Sequence, residues 1–189
     1  VYASQGVHFR KPVPACNVVL SSLLERQDHN GYSHQNPSFL GAMLEKHPKI
    51  ISAYLPADGN STLVYTERAY ADRDKLNILV AGKKDLPQWL TLDEARQQAK
   101  DGVMVWDFAS DENPDVVLVG CGDYVTQEAM AALVLIRELL PRVRIRFVSV
   151  TELTSSGLGS LEFQGKPWLM DEVFTADKGV VFNYHGYPN

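Results

Sequence analysis

Cysteine is scarce in this chain, with only Cys16 and Cys121 present. They lie far apart and outside any CxxC or Cys/His spacing, which excludes a disulfide framework and a cysteine-built zinc site. Two buried, reduced thiols are the expectation, as suits a cytoplasmic protein. Long apolar runs are missing too, so no segment reads as a membrane span. No basic stretch followed by an apolar core opens the chain, so no secretory leader is expected. Cations are in deficit, 18 Lys and Arg against 23 Asp and Glu, for a formal charge of −5. Nucleic-acid surfaces need clustered Lys and Arg to displace counterions, so nucleic acid is not an expected partner. Neither a GxSxG elbow nor a P-loop occurs, which leaves serine hydrolase and nucleotide phosphatase readings without support. Internal repeats, heptads and low-complexity tracts are absent as well. The first residue is Val1 rather than methionine, as though the chain were cut from something longer.

What is present is 189 residues with 45% hydrophobic content, enough for one large or two small cores. Helical spacing runs from Asn17 to Arg26, where Val18, Val19, Leu23 and Leu24 share a face. Pro37 suits the first turn of a helix through Phe39, Leu40, Met43 and Leu44, stopped by Pro48. Ile50 to Leu55 reads as a buried strand, Asn60 to Asp72 as a helix, and Leu76 to Ala81 as another strand. The proline and charges of Asp85 to Leu90 suit a connection between domains, giving expected units 1–90 and 91–189. Beyond it the pattern predicts a helix over Asp93 to Lys100, strands over Val103 to Trp106 and Val116 to Gly120, and a long helix over Thr126 to Leu140. A strand over Val143 to Val150, a Gly/Ser-rich connection from Ser155 to Gly165, a helix around Leu169 to Phe174 and a last strand over Val180 to Tyr184 follow. Apolar strands alternating with helices predict an α/β fold, two successive three-layer units with mostly parallel sheets.

The segment Gln27-Asp28-His29-Asn30-Gly31-Tyr32-Ser33-His34-Gln35 packs imidazoles, amides, a carboxylate and a hydroxyl around one glycine. Asn30-Gly31 is a turn signal, so these residues are expected on a loop mounted on the end of the preceding helix. His29 and His34 can carry protons near neutral pH or donate to a developing oxyanion; a structural hydrogen-bonding loop is the plain alternative. Metal ligation is discarded because the spacing matches no zinc pattern. Lys83 follows Gly82 at the carboxyl end of a predicted strand, where ligands gather in open α/β sheets. It is either a point charge for a phosphate or a solvated lysine beside Lys84. Gly120-Cys121-Gly122-Asp123 resembles a nucleotide-binding turn, but a third glycine is lacking and Asp123 puts a negative charge where a phosphate would sit. A tight strand-to-helix turn is the better reading. Trp89 and Trp106-Asp107-Phe108 read as core or interface aromatics. His185 follows the last strand, and the sequence does not choose between a site and an interface for it.

The blocks QDHNGYSHQNP, YLPADGNST, LNILVAGKKDLPQWLTLDEA, VWDFASDENPDVVLVGCGD and VFTADKGVVFNYHGYP, in this order between residues 26 and 189, resemble phosphoketolase. That family comprises thiamine-diphosphate enzymes related to transketolase, which split xylulose 5-phosphate or fructose 6-phosphate with inorganic phosphate into acetyl phosphate and a shorter aldose phosphate. The resemblance covers the latter part of the middle, pyrimidine-binding domain and most of the C-terminal domain, the chain being much shorter than the family. It implies that His29, Asn30 and His34 line the substrate channel with Gln27 beside them, and that Lys83 binds the sugar phosphate or inorganic phosphate. An imidazole and an amide would then stabilise an enediolate-like species and assist loss of water, while Lys83 positions the phosphate. Tyr32 stands where the family usually has Phe, Asn36 where Asp is usual, and the region from Ser155 to Gly165 looks shortened. The family's motif for magnesium and the cofactor diphosphate, and the glutamate that activates the cofactor, are expected upstream of Val1. The chain by itself is therefore expected to be inactive, and the full-length enzyme to be a homodimer or larger with its site between subunits. A C-terminal subunit of a split transketolase-like enzyme and a non-catalytic binding or assembly module are the competing readings.

Overall fold

A computed structural model of the chain describes residues 10–21 and 38–186. In chain order the elements are β1 (Cys16–Leu20), α1 (Ser38–Leu44), β2 (Ile51–Tyr54), α2 (Gly59–Ala71), β3 (Leu76–Val80), α3 (Leu92–Asp101) and β4 (Val103–Val105). There follow β5 (Val116–Cys121), α4 (Asp123–Leu139), β6 (Ile145–Val150), β7 (Glu152–Thr154), β8 (Gly157–Leu158), α5 (Leu161–Gln164), α6 (Pro167–Phe174) and β9 (Gly179–Tyr184). No helix among the described residues is long and apolar enough to cross a membrane.

The strands form two mixed sheets, ordered β1-β3-β2-β7-β8 and β4-β6-β5-β9. Parallel pairing joins β3 to β1 and β2, and β5 to β6 and β9, whereas β2–β7, β7–β8 and β4–β6 are antiparallel. The α/β class follows from burial: β2 is covered on both faces and β5 and β6 nearly so, as helix-flanked strands require. Successive residues feed different cores. Ile78, Val80, Val117, Val119 and Val148 join one apolar cluster, while their strand neighbours Leu79, Leu118 and Phe147 join another. Trp106 is the largest side chain of the second cluster, 1% exposed, with its ring 5.2 Å from that of Phe147 and its Nε1–H donating to Gln98 at 3.3 Å.

Contacts across residue 90 are dense. The hairpin of β7 and β8 extends the first sheet, and Glu152 at its start is buried against Arg68 of α2 at 3.2 Å. Burial raises the Glu152 carboxyl above the usual range, more than the Arg68 guanidinium lowers it. The connection from 85 to 90 is pinned by buried Asp58, the N-cap of α2, whose Oδ2 accepts the Trp89 and Leu90 amides at 3.0 and 2.8 Å. Thr91 and Glu94 then form a capping box that starts α3. Gly102 ends α3 at φ 70°, where a Cβ would lie 2.6 Å from that of Glu152, so only glycine fits.

Three expectations are corrected. The helix predicted from Asn17 to Arg26 is strand over its described first part, with Asn17 to Leu20 in β1 and residues 22–26 outside the described residues. Val18 and Val19 are β-branched, and β3 offers a parallel partner in register from Cys16↔Leu76 to Leu20↔Val80, so tertiary pairing overrides a spacing that fits either state. Cys16, expected buried, is exposed on this edge strand, while Cys121 is buried and its thiol pushed up by burial. The connection from Ser155 to Gly165 is not irregular: it contains β8 and α5, whose N-cap Ser160 accepts from Phe163 N–H.

Candidate functional site

Four strand ends meet on one side of the molecule. β1 and β3 run parallel and in register, and the Ala81 amide donates to the Leu20 carbonyl at 3.0 Å, carrying the pairing one residue past β3. Ser21, the last described residue before the polar segment, therefore leaves the sheet beside Ala81, and Gly82 and Lys83 follow directly. Leu55 continues β2 toward the same region, where its side chain lies 3.8 Å from the position of a Cβ on Gly122. The C-terminal end of β5 arrives with Gly122 and Asp123.

Asp123 joins the two sheets. Its Oδ2 accepts the Gly82 amide at 2.6 Å, and its Oδ1 accepts the amide of Tyr124 at 2.7 Å. Gly122, at φ 97°, turns the chain from β5 into α4, so the reading of Gly120 to Asp123 as a tight strand-to-helix turn holds. The carboxylate occupies the place at the helix N-terminus that an anion would take. Burial raises its pKa above the usual carboxylate range, with the Tyr124 and Gly82 amides acting in the opposite direction. The approach is close enough that a Cβ on Gly82 would fall 2.9 Å from Asp123 Oδ2 and 2.9 Å from Tyr124 Cε2. Any larger residue there would displace one of these side chains.

Lys83 is exposed at this junction. Gln27, His29, Asn30 and His34 lie outside the described residues. His185 lines a mainly apolar groove of about 880 Å³ between α4 and β9, together with Tyr124, Asn183 and Tyr184. Burial, with Cys121 adding to it, pushes the Tyr184 hydroxyl up to about 12. Trp89 and Trp106 pack with ring centroids 6.1 Å apart, as expected of core aromatics, whereas Phe108 stacks on Trp106 with its own ring half exposed. Sequence reasoning gave Asp123 only a turn role and passed over Tyr124. The available signal was a charged residue directly after a strand-ending Gly-Cys-Gly.

Residues 83–189 match the profile of the XFP C-terminal domain, and residues 1–72 that of D-xylulose 5-phosphate/D-fructose 6-phosphate phosphoketolase. This chain belongs to the phosphoketolase family. A probable phosphoketolase of Rhizobium meliloti is 40% identical over 186 residues, covering 96% of this chain and 24% of the relative. One from Synechococcus elongatus is 39% identical over 197 residues, covering 98% and 24%. The chain thus spans 24% of the length of these phosphoketolases. A transketolase mutant from Pichia stipitis superposes with a TM-score of 0.66 at 20% identity, over 88% of this chain and 22% of that one, which shows the shared fold.

The described residues do not fit the diphosphate and magnesium of a thiamine cofactor. None of their His, Cys, Asp and Glu side chains form a group of three that could hold a metal ion, and the glycine turn before α4 has its helix terminus closed by Asp123. What the junction offers a phosphoketolase is a cation on a short turn, beside the strand end from which the histidine-bearing segment departs.

Proposed function

We propose that this chain is part of a thiamine-diphosphate-dependent phosphoketolase that cleaves xylulose 5-phosphate, fructose 6-phosphate or both with inorganic phosphate, yielding acetyl phosphate, a shorter aldose phosphate and water. The supporting observation is the in-register parallel pairing of β1 and β3, which brings Ser21, six residues before Gln27 in the sequence, next to the turn bearing Lys83. His29 and His34 move protons at the reacting carbons and oxygens, the Asn30 amide donates to a developing oxyanion, and Gln27 hydrogen-bonds the substrate. Lys83 holds a phosphate as a point charge. Thiamine diphosphate with Mg²⁺ would supply the carbon–carbon bond chemistry, held by parts of the full-length enzyme beyond the 24% that this chain spans. The chain alone is inactive on this reading, and the full-length enzyme is a cytoplasmic homodimer or larger.

The test is steady-state kinetics in the full-length enzyme, with acetyl phosphate trapped as its hydroxamate. His34→Ala lowers kcat by about 100-fold or more. Lys83→Ala raises the KM of inorganic phosphate or of the sugar phosphate by about tenfold with a smaller change in kcat. Both variants fold, since polar loop substitutions of this kind change stability by about 0.5 kcal/mol or less. Wild-type kcat in His34→Ala together with unchanged KM values in Lys83→Ala overturns the reading.

A further inference from the structure

We infer that Asp123 is the positioning residue of the Lys83 phosphate site, holding the Gly82–Lys83 turn from the opposite sheet so that the lysine is presented at the junction of the strand ends. This rests on the reading of Lys83 as a phosphate ligand. It adds a residue to which no part in binding or catalysis attaches from the sequence alone.

Three features carry it. The first is the bond itself. The Gly82 amide is the backbone donor immediately before Lys83, and it reaches 41 residues along the chain to Asp123 Oδ2 at 2.6 Å. A charge-assisted bond of this length restrains the turn more strongly than a neutral one. The second is that the acceptor is itself fixed. Asp123 Oδ1 takes the Tyr124 amide at 2.7 Å, and Asp123 is the first residue of α4, a helix that runs to Leu139. The turn after β3 is therefore referenced to α4, which follows the second sheet's β5, rather than to its own strand alone. The third is fit. The ring of Tyr124 and the carboxylate press on Gly82 so closely that a Cβ there would force one of them to shift, and Tyr124 is buried at 5% exposure. The turn is thus gripped from two sides one residue before the cation.

The carboxylate is needed for its two acceptor oxygens. Asparagine has the same shape but one acceptor, so in Asp123→Asn an NH₂ group meets either the Gly82 or the Tyr124 amide, donor against donor. The Tyr124 bond lies within the helix start, so the Gly82 bond is the one that opens. Burial makes this anion costly to keep, as its raised pKa shows. Carboxyl groups shifted by burial cluster at functional sites.

The experiment is a double-mutant cycle in the full-length enzyme, measuring kcat and the KM values of inorganic phosphate and xylulose 5-phosphate for wild type, Lys83→Ala, Asp123→Asn and the double variant. Asp123→Asn is expected to raise the same KM that Lys83→Ala raises, by about tenfold or less, with kcat changed less than about twofold. The double variant is expected to be no worse than Lys83→Ala, because a positioning residue has nothing left to position. Gly82→Ala, which displaces the turn while leaving the aspartate intact, reproduces the KM effect and serves if Asp123→Asn does not fold. Additive effects in the double variant, or unchanged KM values in a folded Asp123→Asn while Lys83→Ala raises one, overturn the positioning role and leave the phosphate reading standing. Unchanged KM values in Lys83→Ala overturn the phosphate reading and the positioning role with it.

Discussion

At the N-terminal end of β5, Asp115 is exposed and gripped by Arg144: Arg144 Nη2 donates to Oδ1 at 2.8 Å, and its Nε and backbone amide donate to Oδ2 at 3.2 and 3.0 Å. Those bonds from Arg144, the side-chain ones first, bring the Asp115 carboxyl down to about 2. At the C-terminal end of the same strand, Asp123 is half-buried, held by backbone amides, and raised in pKa by that burial. One strand is thus flanked by two aspartates with opposite electrostatics. The N-terminal end has an ion pair that favours the ionised carboxylate, whereas the C-terminal end, tied to the first sheet through Gly82, keeps an anion that burial disfavours. This polarity agrees with the general placement of ligand sites at the carboxyl ends of strands in open α/β sheets.

The comparison breaks most visibly at Gly82. Gly82→Val forces side-chain atoms into the space held by Asp123 and Tyr124. In the full-length enzyme it is expected to lower kcat/KM by about 100-fold, the scale of an ångström-sized misplacement in a site, while costing about 1–3 kcal/mol of stability as overpacking does. Near-normal kcat/KM in a folded Gly82→Val would show that the junction tolerates displacement and carries no site.

A smaller effect sharpens the contrast in sign. Because the folded-state pKa of Asp123 lies above its ordinary value near 3.8, its contribution to stability is fully present below that value and is lost as pH rises through the raised one. The stability lost in Asp123→Asn is therefore expected to grow as pH falls from 7, read as the shift in urea midpoint at each pH. Asp115 behaves in the opposite way. Its contribution is present above 3.8 and is lost as pH falls through about 2. The smallest effect is accordingly Asp115→Asn, which shifts the urea midpoint slightly at neutral pH, loses that shift toward pH 2, and leaves kcat and KM unchanged because Asp115 stands at the far end of the strand. Parallel pH trends for the two variants would erase the distinction between the two ends.

Much of this was legible in the chain itself. Apolar runs of strand length such as Val116 to Gly120 and Leu76 to Ala81 became β5 and β3 within a residue or so, because a strand buried on both faces leaves a nearly continuous hydrophobic signature. The helix expected over Asp93 to Lys100 became α3 within a residue at each end, and Thr91 with Glu94 caps its start. Misreading came where the local signal was short. Asn17 to Leu20 satisfies helical and strand spacing equally, and only the presence of β3 alongside decides for the strand. The hairpin of β7 and β8 was hidden because strands of three and two residues show no period.

The same division separates the candidate site from its support. Lys83 was singled out as a candidate from its position after Gly82 at a strand end, which is local information. Asp123 was not, since its partner is 41 residues away and no periodicity reports a bond between the turn after one strand and the helix after another. By itself the sequence determined the elements, the α/β class and the family blocks, since these depend on the order and spacing of nearby residues. Which strand ends meet, which aspartate is buried, and that Gly82 is gripped by Asp123 and Tyr124 were decided only by tertiary structure. Desolvation and close approach depend on what the rest of the chain places nearby.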